Sequence, residues 1–189
     1  MSRLPLLAAF GALCLPVGAL AAAPAPDAAF DAFQNVCSAT AASYPAVVKA
    51  ADAGGWADTA VPADSDAKVT ITAKMARSKA AGGETLMLSA TQGLLQGAGG
   101  GTPVSTCKIS SNRPEPDLIA RAKAWLGYAP DAAPDPTLAV YYVKPGGAKP
   151  EHVAKANLNA ALASGGLSVL KFQQDPDGAI LVYQTYNVK

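Results

Sequence analysis

His152 is the only histidine in the chain. Any imidazole base, proton shuttle or nitrogen ligand must therefore use it. Serines and aspartates are plentiful, so a Ser–His–Asp hydrolase is formally open. No Gly-x-Ser-x-Gly elbow exists to present a nucleophile. The simpler reading leaves His152 on the surface beside Pro150 and Glu151. A Cys37/His152 nucleophile pair would need a free thiolate.

One histidine and two cysteines that are expected to pair cannot build a zinc site. Asp175-x-Asp177-Gly178 has the start of a calcium loop. An EF-hand needs glycine at position 6 and an acid at position 12, whereas here glycine stands fourth and Tyr186 twelfth. A hairpin turn is the expectation. Gly97-Ala-Gly-Gly-Gly101-Thr102 lacks the Gly-Lys-Ser/Thr of a phosphate loop and reads as flexible linkage between strands. The glutamates are Glu84, Glu115 and Glu151. Each falls at an expected element start, so no glycosidase pair is assigned. No catalytic residue, metal ligand or cofactor site emerges, and none is expected. Trp56 and the outward-facing member of the Tyr141–Tyr142 pair remain as aromatic candidates for a binding surface. Trp125 falls on an apolar helical stripe and reads as core.

These side chains must be carried by something exported. Met1-Ser-Arg3 is a short basic start, and Leu4 to Leu20 carries no charge. Small residues at Ala-x-Ala spacing follow, then Pro24-Ala-Pro26. This is the pattern of a secretory signal peptide. Cleavage is expected after Ala23, with Ala21 and Ala22 as alternatives, leaving residues 24–189 as a single exported domain. The apolar run contains Pro5 and Pro16 and falls short of the roughly 20 residues of a spanning helix. Cys14 follows Leu13, where a lipobox requires a small residue. No later run is long enough to span, so no integral membrane segment is expected in the mature chain. The expected location is periplasmic or secreted.

The chain has 15 Lys+Arg and 14 Asp+Glu. Loss of Arg3 with the leader leaves 14 of each. There is no basic block of the kind that nucleic acid binding needs, and none that would hold the chain to an anionic membrane. Apolar residues make up 50%, but close to half of them are alanine, so the core is modest. Cys37 and Cys107 are the cysteines of the mature chain, and two cysteines in an oxidising compartment ordinarily pair. The alternative is two free thiols.

The elements follow from periodicity. A helix is predicted over 28–36 with Asp27 as N-cap, bringing Phe30, Phe33 and Cys37 onto one stripe. A second runs from about Pro45 to Ala53 and is stopped by Gly54-Gly55. Residues 57–67 read as a loop. Lys68 to Met75 alternates strictly, with Val69, Ile71, Ala73 and Met75 on one face. Further strands are predicted over 84–91 and 103–110. A third helix carries Leu118, Ile119, Ala122, Trp125 and Leu126, entered through an Asn112/Glu115 capping box. Residues 129–136 read as a proline-rich linker, 137–144 as a strand, and part of 151–163 as a short helix with Leu158 and Leu162 as its apolar pair. Two strands, 167–174 and 179–188, close the chain about the Asp175–Gly178 turn. The fold class is α+β: a mostly antiparallel sheet of about six strands with three or four helices packed on it.

Phe33-x-x-x-Cys37, Tyr44-Pro45 and Gly55-Trp56 precede a Thr106-Cys107 strand and a Leu-Ile…Trp-Leu-Gly helix. This layout resembles a functionally uncharacterised family of small exported proteins of Gram-negative bacteria, mostly alphaproteobacteria. The resemblance implies a periplasmic home and a Cys37–Cys107 pair, and it carries no activity. The expectation is a non-enzymatic envelope module that binds a protein or small ligand or is structural. The alternative is a secreted hydrolase whose site forms only in three dimensions.

Overall fold

A computed structural model describes residues 28–61, 68–97, 101–146 and 149–187. The expected leader, its cleavage point at Ala23 and the Asp27 cap lie outside the described residues. Among those described, the strands are β1 (Ala57–Asp58), β2 (Val69–Ala81), β3 (Glu84–Leu95), β4 (Thr102–Ser111), β5 (Ala132–Asp135), β6 (Leu138–Lys144), β7 (Glu151–His152), β8 (Leu167–Asp175) and β9 (Gly178–Tyr186). They form one sheet in the order β1-β2-β3-β4-β9-β8-β6-β5, with β7 paired to β6. Every pairing is antiparallel.

The α+β class therefore holds, but the strand count does not. The six long strands correspond to the six expected. The three additional ones, β1, β5 and β7, have two to four residues, too few to leave a period of two in the sequence. β5 occupies the expected linker and contains Pro134, which an edge strand tolerates because its N–H can face away from the ladder.

One face of the sheet is covered by α1 (Ala28–Ala32), α2 (Tyr44–Ala53) and α3 (Leu118–Leu126). α1 continues into a π-helical stretch, Phe33–Ser38. Its i→i+5 bonding widens the turn, so residues four apart stand nearly in line. Phe33 and Cys37 thus share one face, and both are fully buried. A buried phenylalanine contributes roughly 1.5–3 kcal/mol. Phe33 stacks edge-on against Phe172 of β8, and Trp125 of α3 packs edge-on against both Phe30 and Phe33. Cys37 is disulfide-bonded to Cys107 of β4, with Cα atoms 5.4 Å apart. The bond ties the helical layer to the middle of the sheet.

α3 starts at Leu118 and ends on Gly127 in the left-handed conformation (φ +85°). The Asn112/Glu115 capping box does not form. Asn112 Oδ1 instead accepts the Thr85 N–H at 2.9 Å, and Glu115 is buried with its carboxylate 3.7 Å from Arg121. The short α4 (Leu158–Ala163) sits near β8, with Leu162 exposed rather than packed.

β2 departs from strict alternation. The register shifts between Ile71 and Ala73, so a bulge at Thr72 moves Val69 and Ile71 to the uncovered face. Ala73 and Met75, opposite Gln92 and Ala90, remain toward the helices. β2 and β3 turn through Gly82-Gly83, both at positive φ, as the twist of a two-residue hairpin requires.

Candidate functional sites

Two places gather chemically capable side chains. The first lies at the β5–β6–β7 edge. Asp131 closes the loop after α3, where its N–H donates to the Val140 carbonyl and its Oδ2 accepts the Tyr142 N–H at 2.8 Å. Its Oδ1 lies 2.8 Å from His152 Nε2. The Asp131 side chain is 8% exposed and that of His152 41%. His152 is thus a surface residue, as expected, but one anchored by a buried carboxylate.

Tyr128 lies against the imidazole with ring centres 4.3 Å apart, and Tyr141 packs edge-on beneath it at 5.5 Å. Neither phenol oxygen has a hydrogen-bond partner. Burial first, and the Asp131 charge second, push the Tyr141 phenol up to about 12. The same causes, in the same order, raise Tyr128. Nothing in the sequence points to this cluster, because Asp131 stands in a proline-rich linker like any other loop aspartate.

The cluster holds two members of a hydrolase triad. Ser164 lines the same shallow cleft of about 410 Å³ as His152, but its Oγ donates to the Ala161 carbonyl. The imidazole Nε2 is turned to Asp131, and no serine hydroxyl among the described residues is hydrogen-bonded to the ring. Cys37 offers no thiolate, since its sulfur is bonded to Cys107.

The second place is a cleft of about 400 Å³ between the N-terminal helix, α2 and the β2–β3 hairpin. Small residues make the hollow: Ala28 and Ala32 on α1, Ala50 and Gly54 at α2, Ala81 and Gly82 at the hairpin. Trp56 and Leu86 line it and are 6% and 1% exposed. Gly54 brings the backbone against the indole, where a Cβ would lie 3.2 Å from Trp56 Nε1. The polar lining is Asp31, Asn35 and Lys79. Lys79 Nζ donates to the Gly54 carbonyl at 2.8 Å. Trp56 was a sequence candidate for a binding surface and belongs to this cleft. Tyr142 is the outward member of its pair, half-buried on the uncovered sheet face, while Tyr141 is fully buried.

The remaining candidates stand apart. Glu84 accepts a hydrogen bond from Ser111, Glu115 faces Arg121, and Glu151 pairs with Lys144 at 2.9 Å. Asp175–Gly178 is the β8–β9 turn. Within the Gly97–Thr102 stretch, residues 98–100 lie outside the described residues, and Thr102 begins β4. Among those described, no group of three or more His, Cys, Asp or Glu is placed to hold a metal ion, and no helix is long and apolar enough to cross a membrane. Comparison with protein-family models, curated proteins and solved structures finds no match to the chain.

Proposed function

We propose that the chain is a non-enzymatic, periplasmic or secreted module that binds a small ligand in the cleft over Trp56. The cleft carries this reading. It is of ligand size, has an apolar floor and bears a few polar groups at its sides, the combination by which small-molecule sites recognise their occupants. The adjoining π-helical stretch fits as well, since such insertions concentrate at functional sites. The Cys37–Cys107 bond, the basic-apolar-small start of the chain and the resemblance to small exported proteins support the compartment.

The test is a thermal-shift screen of the mature chain against small metabolites, repeated on Ala32→Phe, which fills the cleft. Hits on the parent that vanish in a variant of unchanged fold support the reading. Hits that persist in Ala32→Phe place binding elsewhere, and reproducible turnover in an activity panel overturns the non-enzymatic part.

A second reading, a histidine-dependent hydrolase, draws on the Asp131–His152 pair alone. It requires that any hydrolysis disappear in His152→Ala.

A further inference from the structure

The cleft over Trp56 is polar in a particular way. Asp31 and Asn35 sit four residues apart on the N-terminal helix and line the same side. Lys79 comes from β2, on the hairpin side. Opposite charges thus share one hollow, yet Asp31 and Lys79 form no salt bridge with each other or with any other described residue. Lys79 spends one of its three ammonium donors on the Gly54 carbonyl, which fixes the head group beside Trp56 and leaves donors for a ligand.

Trp56 adds a second observation. The residue lines the cleft and is 6% exposed, and its indole nitrogen lies against Gly54, whose carbonyl Lys79 holds. An indole N–H at the wall of a cleft is a donor that a ligand can engage. Beside Lys79, the group that this donor suits is an anionic or carbonyl oxygen. The floor between the polar groups is the Trp56 ring, Leu86 and the alanines of α1 and α2, which can accept only an apolar body.

Resting on the reading of this cleft as a small-ligand site, we infer that it takes a zwitterion with an apolar body, the chemistry of an unblocked apolar amino acid or dipeptide. The ligand carboxylate accepts from Lys79 Nζ and Trp56 Nε1. The ligand ammonium donates to the Asp31 carboxylate and the Asn35 side-chain carbonyl. The side chain lies over Trp56 and Leu86. Neither charge of the ligand is left unpaired, and the alanine-lined hollow limits its bulk.

The experiment is calorimetric titration of the mature chain with six probes: L-leucine, L-leucyl-L-leucine, their N-acetyl forms and their C-terminal amides. At least one unblocked probe should bind, and blocking either end should weaken it tenfold or more. Asp31→Asn should erase the difference between the free and N-acetylated probes. Lys79→Met should erase that between the free and amidated ones. Both substituted residues are at the surface, and unchanged circular dichroism controls for folding. Blocked probes that bind as well as free ones, with binding lost in Ala32→Phe, overturn the zwitterion and keep the cleft as a neutral apolar site. If no probe binds, and a wider library finds no ligand sensitive to Ala32→Phe, both the zwitterion and the cleft reading fall.

Discussion

Gly178 and Ser111 approach so closely that a Cβ on Gly178 would lie 2.3 Å from the Ser111 carbonyl oxygen. The glycine opens β9 just where that strand pairs with the end of β4, through Ser111↔Ala179. Its role is therefore close packing and not a left-handed backbone. Gly83 is the opposite case, with open space around it and φ +80°. Gly178→Ala must push two central strands apart, at a cost on the order of 3 kcal/mol. Gly83→Ala bears only backbone strain, about 1 kcal/mol. Urea unfolding of the two variants checks the order. Equal losses would mean that β9 yields at no greater cost than the strained turn.

The Cys37–Cys107 bond closes a loop of 70 residues, and chain entropy assigns such a loop about 4 kcal/mol. The double variant Cys37→Ala, Cys107→Ala should lose a stability of that order, read as a lower urea midpoint. Both cysteines are fully buried. The bond should thus resist reductant in the folded protein and yield once denaturant opens it. Ready reduction without denaturant would show that the helical layer lifts from the sheet under native conditions.

Much of this framework is legible before any coordinates. Gly127 after the Leu118–Leu126 stripe marks a helix end, and the left-handed φ there is what its lack of a Cβ permits. The apolar faces of β3, β4 and β9 are visible because each strand is long enough to repeat its period. What escapes is short or non-periodic. Ala57–Asp58 and Glu151–His152 are two-residue edges held by neighbours. The bulge at Thr72 comes from pairing with β3, which nothing within residues 68–75 encodes. The candidate sites escape for the same reason. Trp56 is readable as an aromatic of interest, but Asp31, Asn35 and Lys79 meet it only because the helix and the hairpin fold together. Asp131 gains its partner across 21 residues of chain.

That partnership is unequal. Asp131 is buried and also holds the Tyr142 N–H, whereas the His152 side chain is 41% exposed. Asp131→Ala strands a backbone donor beneath the surface and should cost about 1–3 kcal/mol. His152→Ala removes the more exposed end of the pair and should cost no more than about 1 kcal/mol. Chemical denaturation at neutral pH separates the two. A His152→Ala loss as large as that of Asp131→Ala would make the imidazole the anchor of this edge.

The buried phenols predict how the fold responds to alkali. Tyr141 is fully buried, without a partner for its hydroxyl, and its phenol is pushed up to about 12 from an ordinary value of 10.0. Tyr128 and Tyr183 are raised as well, each chiefly by burial. A group whose folded pKa exceeds its unfolded one stabilises the fold fully below the unfolded value. That contribution is lost as pH rises from 10 through the folded value. Stability should therefore hold to about pH 10 and then fall steadily toward pH 12, where phenolate absorbance appears together with unfolding. Tyr141→Phe sharpens the test. It removes an unsatisfied buried hydroxyl, so it should leave neutral-pH stability unchanged or raise it by roughly 1 kcal/mol, and it should make the alkaline fall less steep. Tyr141 ionising near pH 10 in the folded protein, seen as a phenolate signal that Tyr141→Phe removes while the circular dichroism stays native, would show that solvent reaches its hydroxyl. The packing of Tyr128 over Tyr141 would then have to open in solution.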